Sequence, residues 1–310
     1  MFGFAAAKGK DQAMAAYNIS EETFKRYMRA VKDDKGFELP RLTKTLNDIA
    51  EQYSPSELRA IAKGGRLVPG VGKVPIISFE GERVRFGVLS DTHIGSKCFS
   101  RSRLEQAFEQ FRIEKVDFIT HSGDVTEGMS HRPGHVYELD FIGYDSQKKE
   151  AIDIFSGWTD TEIYAIDGNH DRWFLKSNGA LIVSDIADAL NNFHFLGHDE
   201  GDISLNGDVT IKLWHGEDGN SYSLSYRLQK LVESLSGGEK PNILIAGHVH
   251  KYVNMFERNI WCVSAGCIQS QTQWMRGKRL AAHVGFSICD AWVSKSGVSK
   301  FTLTWYPFYA

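Results

Sequence analysis

From Arg83 onward, short apolar runs alternate with longer stretches of helical period, and five of the apolar runs end on a small polar cluster. Asp91-Thr92-His93 follows the run Phe86 to Ser90, and Gly123-Asp124 follows Phe118 to Ser122. Gly168-Asn169-His170-Asp171 follows Tyr164 to Asp167, His215-Gly216 follows Ile211 to Trp214, and Gly247-His248-Val249-His250 follows Ile243 to Ala246. Short apolar runs bounded by turn residues read as buried strands. Open α/β sheets bind ligands beyond the carboxyl ends of their strands. Five strand exits carrying Asp, Asn or His therefore point to a layered α/β domain whose strand ends gather chemistry along one edge.

The remaining elements fit that reading. The expected strands are 83–90, 116–122, 162–167, 209–214, 242–246, 253–257, 261–265, 282–293 and 300–306. The expected helices between them are 103–115, 146–157, 180–191 and 223–234. Helix and strand in alternation, then a cluster of strands, argues for a mixed sheet or two packed sheets. Residues 83–310 are assigned to this domain. Residues 64–82 hold Gly64, Gly65, Pro69, Gly70, Gly72, Pro75 and Gly81, the composition of a linker. Residues 1–63 read as a small all-helical domain, with helices at 11–17, 21–32, 41–53 and 56–63. Ser20 suits the N-cap of the second, with Glu21 and Glu22 in its first turn.

Composition excludes several classes. At 42% hydrophobic and 24% charged residues, the chain matches an ordinary globular protein rather than a disordered or fibrous one. No run of about 18 apolar residues occurs, so no transmembrane helix is expected, and the charged residues after Ala7 argue against a signal peptide. The four cysteines form no Cys-x-x-Cys pair and read as reduced thiols in a cytoplasmic protein. The net charge of −3 excludes a chain basic throughout but not a local basic patch.

The strand-exit residues suit metal. Aspartate, asparagine oxygen and imidazole favour manganese, iron, zinc or magnesium. Asp91, Asp124 and Asn169 with His93, His215, His248 and His250 are too many for one ion, and two ions sharing a carboxylate would use them all. Two metals about 3.5–4 Å apart serve in-line displacement at phosphorus.

The ordered set Asp-x-His, Gly-Asp, Gly-Asn-His-Asp, His-Gly and Gly-His-x-His resembles the calcineurin-like metallophosphoesterase superfamily over about residues 84–265. The resemblance implies two mixed β-sheets in a sandwich flanked by helices, and two divalent ions, manganese foremost. It implies that Asp91, His93 and His250 hold one ion, Asn169, His215 and His248 the other, and that Asp124 bridges. A metal-bridging hydroxide would attack phosphorus, His170 would assist the leaving oxygen, and Asp171 would orient His170. Protein phosphatases of this superfamily carry Asp-Arg-Gly after the second motif. Here Asp124 is followed by Val125-Thr126-Glu127-Gly128, which lowers that reading, and Glu127 is given no role.

The substrate expectation rests on three further segments. Residues 15–27 resemble a helix-turn-helix, and Lys25, Arg26, Arg29, Lys32 and Lys35 cluster where DNA phosphates would be met. The loop 128–135 offers His131, Arg132 and His135 to substrate phosphates. In 271–279, Trp274 would stack on a base while Arg276, Lys278 and Arg279 meet the backbone. The expected function is a dinuclear-metal phosphodiesterase acting on DNA, resembling the SbcD-type nucleases and the related archaeal polymerase D small-subunit exonucleases. The alternative is a cyclic-nucleotide or nucleotide phosphoesterase. No membrane partner is expected.

Overall fold

The computed structural model describes residues 10, 11, 14, 20–25, 74–219, 223–236, 238 and 240–309. The chain divides into two compact units, Met1–Gln52 and Tyr53–Ala310. In the first unit, residues 21–25 are helical, and the Ser20 hydroxyl accepts the Thr23 N–H at 3.3 Å, the N-cap bond expected of it. The other expected N-terminal helices lie wholly or largely outside the described residues.

In the second unit, twelve described strands form two six-stranded sheets. In chain order the elements are β1 (Ile76–Ile77), β2 (Arg83–Leu89), α1 (Arg101–Glu114), β3 (Phe118–Ser122), α2 (Tyr144–Ser156), β4 (Glu162–Asp167), α3 (Arg172–Asn178), α4 (Ile182–Ala189) and β5 (Phe193–His198). Then come β6 (Glu200–Leu205), β7 (Val209–Trp214), α5 (Tyr226–Ser234), β8 (Ile243–Ala246), β9 (Tyr252–Glu257), β10 (Ile260–Ala265), α6 (Gln273–Gly277), β11 (Gly285–Ser294) and β12 (Gly297–Pro307). The first sheet runs β12-β11-β2-β3-β4-β5, parallel from β2 to β5 and antiparallel beyond β2. The second runs β1-β6-β7-β8-β10-β9, with β7, β8 and β10 parallel.

Alternation builds the sandwich. Val84, Phe86 and Val88 on β2 pack with Ile203, Ile211, Leu213, Ile245 and Val263 of the second sheet, all fully buried. The opposite face of the first sheet carries α1, α2 and α4. On α1, Leu104, Ala107, Phe108 and Phe111 fall at helical spacing and are buried against that face. Gly87 makes this approach possible: a Cβ there would sit 2.8 Å from the Phe111 ring. On the outer face of the second sheet, Leu228 and Val232 of α5 pack on Leu244 and Cys262.

Three features depart from the sequence reading. Residues 74–82, the described part of the expected linker, contain β1, which pairs with β6, and Phe79 N–H donates to Asn206 Oδ1 at 3.0 Å. β5 and β6 were not anticipated. Only Asp199, at φ 60°, separates them, and the chain passes there from one sheet to the other. Each carries only a short apolar alternation, Phe193 with Phe195 and Ile203 with Leu205, too brief to stand out as a strand. Finally, α3 follows the third motif at once, where no helix was expected. All four cysteines are free. Among the described residues, no helix is long and apolar enough to cross a membrane.

Candidate metal centre

The five motifs converge from both sheets rather than along the edge of one. β2, β3 and β4 of the first sheet and β7 and β8 of the second each end just before one of them. The ladder between strands continues into the motifs. Asp91 N–H donates to Gly123 O, His93 N–H to Asp124 O and Ile94 N–H to Val125 O, each at 3.0 Å. Between β7 and β8, Gly247 N–H reaches Trp214 O at 3.0 Å. Arg227 of α5 clamps the same pair of exits, donating to Gly247 O at 2.6 Å and to His215 O. Asp91, His93, Asp124, His248 and His250 all have positive φ, between 51° and 78°. Non-glycine residues avoid that region unless the surroundings over-determine them, and such strain collects at functional sites.

Two donor clusters result. In one, His250 Nε2 lies 3.2 Å from Asp91 Oδ1 and 3.1 Å from His93 Nε2. In the other, His215 Nε2 is 3.1 Å from Asn169 Oδ1, and His248 Nδ1 is 2.8 Å from the same oxygen. Asp124 stands between them, its Oδ2 3.6 Å from His93 Nε2 and 3.2 Å from His215 Nε2. Two imidazole nitrogens facing each other at 3.1 Å have the separation of two ligands about 2.1 Å from one ion. All these donors are nitrogen or oxygen and five of the seven residues are buried, so the residues fit divalent metal. The far side of the His215 ring is tied as a ligand requires, while His93 Nδ1 and His250 Nδ1 are buried without a hydrogen bond among the described residues. His215 Nδ1 donates to Ser122 O at 2.7 Å, which leaves Nε2 its lone pair, and His93 Nδ1 lies 2.9 Å from Glu127 Oε2.

His170 sits beside this cluster, its ring 4.6 Å from that of His93 and 3.9 Å from that of Trp173. Its Nδ1 lies 2.9 Å from the Glu127 carbonyl. A carbonyl only accepts, so Nδ1 carries the hydrogen, and Nε2 makes no hydrogen bond among the described residues. Asp171 does not orient the ring. Its carboxylate accepts the N–H groups of Val125, Thr126 and Gly168 and the Thr126 hydroxyl, at 2.7 to 3.0 Å. It ties the exit of β3 to that of β4, and the orienting atom for His170 belongs to Glu127.

Glu127 is the residue the sequence reading passed over. It is buried, and its carboxylate meets His93, His135 Nε2 at 3.1 Å and Gln269 Nε2 at 2.8 Å. His135 is accordingly not a substrate contact: it is 1% exposed, and its Nδ1 accepts the Ser130 N–H. Asp-x-x-Glu in the second motif was the available signal, but the partners of Glu127 are distant in sequence.

The electrostatics follow from the packing. Burial opposes charge on Asp124 and Glu127, yet the imidazoles beside them hold both carboxyls well below the usual range. Burial also opposes charge on His170 and His215, but Asp124 beside both, with Glu127 at His170, pushes each up to about 9. His248 goes the other way, down to about 4, through burial and the neighbouring His215. In the metal-free cluster the buried carboxylates are thus compensated by protons held on neighbouring imidazoles.

Calcineurin-like phosphoesterase superfamily domains match residues 84–283. The chain belongs to the calcineurin-like phosphoesterase superfamily. Among relatives, the DNA polymerase II small subunit of Methanothermobacter thermautotrophicus is 25% identical over 272 residues, covering 69% of this chain and 54% of that one. The subunit of the same name from Halobacterium salinarum is 22% identical over 238 residues, covering 65% and 47%. The chain therefore spans about half the length of the curated relatives it matches. Among solved structures, a novel archaeal phosphodiesterase matches 72% of this chain and 100% of its own, at 16% identity and a TM-score of 0.44. The E. coli phosphoesterase Yfce matches 71% and 98%, at 14% identity and a TM-score of 0.41.

The remaining expected contacts are placed as follows. His131 and Arg132 are exposed, and Arg132 pairs with Glu138 at 2.6 Å. Trp274 is 49% exposed on α6, whose N-cap Thr272 accepts the Met275 N–H, and Arg276, Lys278 and Arg279 are exposed. Lys25 pairs with Glu21 at 2.9 Å, while Arg26, Arg29, Lys32 and Lys35 lie outside the described residues.

Proposed function

We propose that this superfamily member is a metal-dependent phosphodiesterase that cleaves DNA. Asp91, His93 and His250 would hold one divalent ion, Asn169, His215 and His248 a second, and Asp124 would be shared. Such ions neutralise the charge on the phosphoryl group and lower the pKa of bound water. His170 supplies the proton. With Nδ1–H given to the Glu127 carbonyl, a second proton would reside on Nε2, the ring atom left free to give it. Trp173 packs against the ring and fixes its plane. That arrangement, an oriented imidazole with a free Nε2 beside two donor clusters, carries the reading. The polynucleotide substrate is supported by the relatives named DNA polymerase II small subunits and by the exposed Trp274, Arg276, Lys278 and Arg279.

The test is a gel assay with manganese on circular single-stranded and linear double-stranded DNA, with bis(p-nitrophenyl) phosphate in parallel. Cleavage of DNA supports the proposal, and the circular substrate reports internal cutting. Hydrolysis of the small diester with both DNAs left intact overturns it in favour of a nucleotide or cyclic-nucleotide phosphoesterase.

A further inference from the structure

Two segments leave the metal centre side by side. One is the loop after His93: Ser96 N–H donates to His93 O at 3.0 Å, and Lys97 and Cys98 follow. The other follows β10: Ile268 and Gln269 N–H both reach Asp91 O, and Gln269 runs on into α6. Ser270 N–H joins the two by donating to Cys98 O at 2.9 Å. On its other side the first loop meets residues 135–141. Lys97 N–H donates to Glu138 O at 2.9 Å, and Lys97 Nζ to Tyr137 O at 2.8 Å. The result is one continuous rim, hydrogen-bonded throughout, from Tyr137 through Lys97 and Cys98 to α6.

Beside Glu138, whose carboxylate is taken up by Arg132, the exposed side chains along it are of two kinds. Tyr137 is 79% exposed and Trp274 49%, and aromatic rings of that size are seldom left in water without a use. Lys97, Arg276, Lys278 and Arg279 are exposed cations, and among the described residues no carboxylate lies within ion-pair distance of any of them. Elsewhere Arg83, Arg101, Arg112 and Arg132 are exposed and paired, while Arg258 is exposed without an ion pair among the described residues. In a chain of net charge −3, a rim of unpaired cations between exposed rings suits a polyanion with flat, unstacked bases. A duplex offers phosphates but keeps its base faces stacked, so the rings would have nothing to meet.

We propose that this rim grips an unpaired DNA strand, with bases on Tyr137 and Trp274 and phosphates on Lys97, Arg276, Lys278 and Arg279, and delivers it to the metal centre. This rests on the phosphodiesterase reading and narrows its substrate to single strands.

The test is fluorescence anisotropy with a labelled oligothymidylate, alone or annealed to its complement. It uses the full chain with manganese present, in the His170→Ala background so that DNA is not consumed, over a series of salt concentrations. Tighter binding of the single strand is expected. Tyr137→Ala with Trp274→Ala should weaken it about tenfold per ring and leave the salt slope unchanged. Arg276→Glu with Lys278→Glu and Arg279→Glu should flatten the slope by about 2, at about 0.7 per phosphate contact. Unchanged binding by both variants, with unchanged melting temperatures, overturns the proposal, as does preference for the duplex. A wild type that hydrolyses the small diester but binds no oligothymidylate overturns the rim alone. Rim-dependent binding, with a wild type that hydrolyses no phosphodiester, supports the rim and refutes the phosphodiesterase reading.

Discussion

Glu127 joins the candidate metal ligands to His170. Its carboxylate faces His93, and its carbonyl receives His170 Nδ1. Glu127→Gln keeps the shape but weakens the hold on His93, so kcat should fall about 10- to 100-fold with KM nearly unchanged. Glu127→Asp should fall less than Glu127→Gln if charge rather than reach matters. Steady-state kinetics on bis(p-nitrophenyl) phosphate decide it, and an unchanged kcat for Glu127→Gln would remove the positioning role. The candidate ligands were legible because Asp, Asn and His at a strand exit have no place in an apolar core. Glu127 was not legible, because the groups that define it, His135 and Gln269, lie 8 and 142 residues away. Asp171 shows the converse: adjacent to His170 in sequence, it turns back onto backbone N–H groups.

Between elements, close backbone approach sets the geometry. A Cβ on Gly168 would lie 2.2 Å from Asp124 Oδ1 and 2.7 Å from His215 Nε2. Gly168→Ala should therefore expel the carboxylate that stands between the clusters. Metal content by elemental analysis should drop while helix and strand content by circular dichroism stays. A variant with full metal content would show that Asp124 is free to shift. The parallel strands β2 to β4 were readable because both faces of each are covered, which leaves unbroken apolar runs. β1 sits in a Gly/Pro-rich segment, and β5 and β6 are joined by one residue. Their existence depends on pairing partners that no local pattern announces.

At the scale of the molecule, the centre couples folding to protons and metal. In the metal-free chain His170 and His215 sit at about 9 against an unfolded value of 6.5. Folded rings bind their protons more tightly, so this stabilisation is complete below pH 6.5 and is lost as pH rises through about 9. Melting in EDTA should weaken across that window. Manganese should raise Tm and oppose that decline, since a ring nitrogen must shed its proton to bind metal. A Tm in EDTA that is flat from pH 6.5 to 9 would contradict this. The family resemblance implied the two-sheet architecture, and the sequence placed the five motifs at strand ends, but along one sheet edge rather than converging from both sheets, and the packing that brings Glu127 and Arg227 to the site was not legible. The most direct test of the centre is His170→Ala, with metal content and turnover of bis(p-nitrophenyl) phosphate measured on one sample. Metal content equal to wild type with turnover lowered about 10²- to 10⁴-fold is expected of a residue that gives a proton and holds no metal. Full turnover at the same metal content would contradict the assignment of His170, and with it the chemistry proposed for this site.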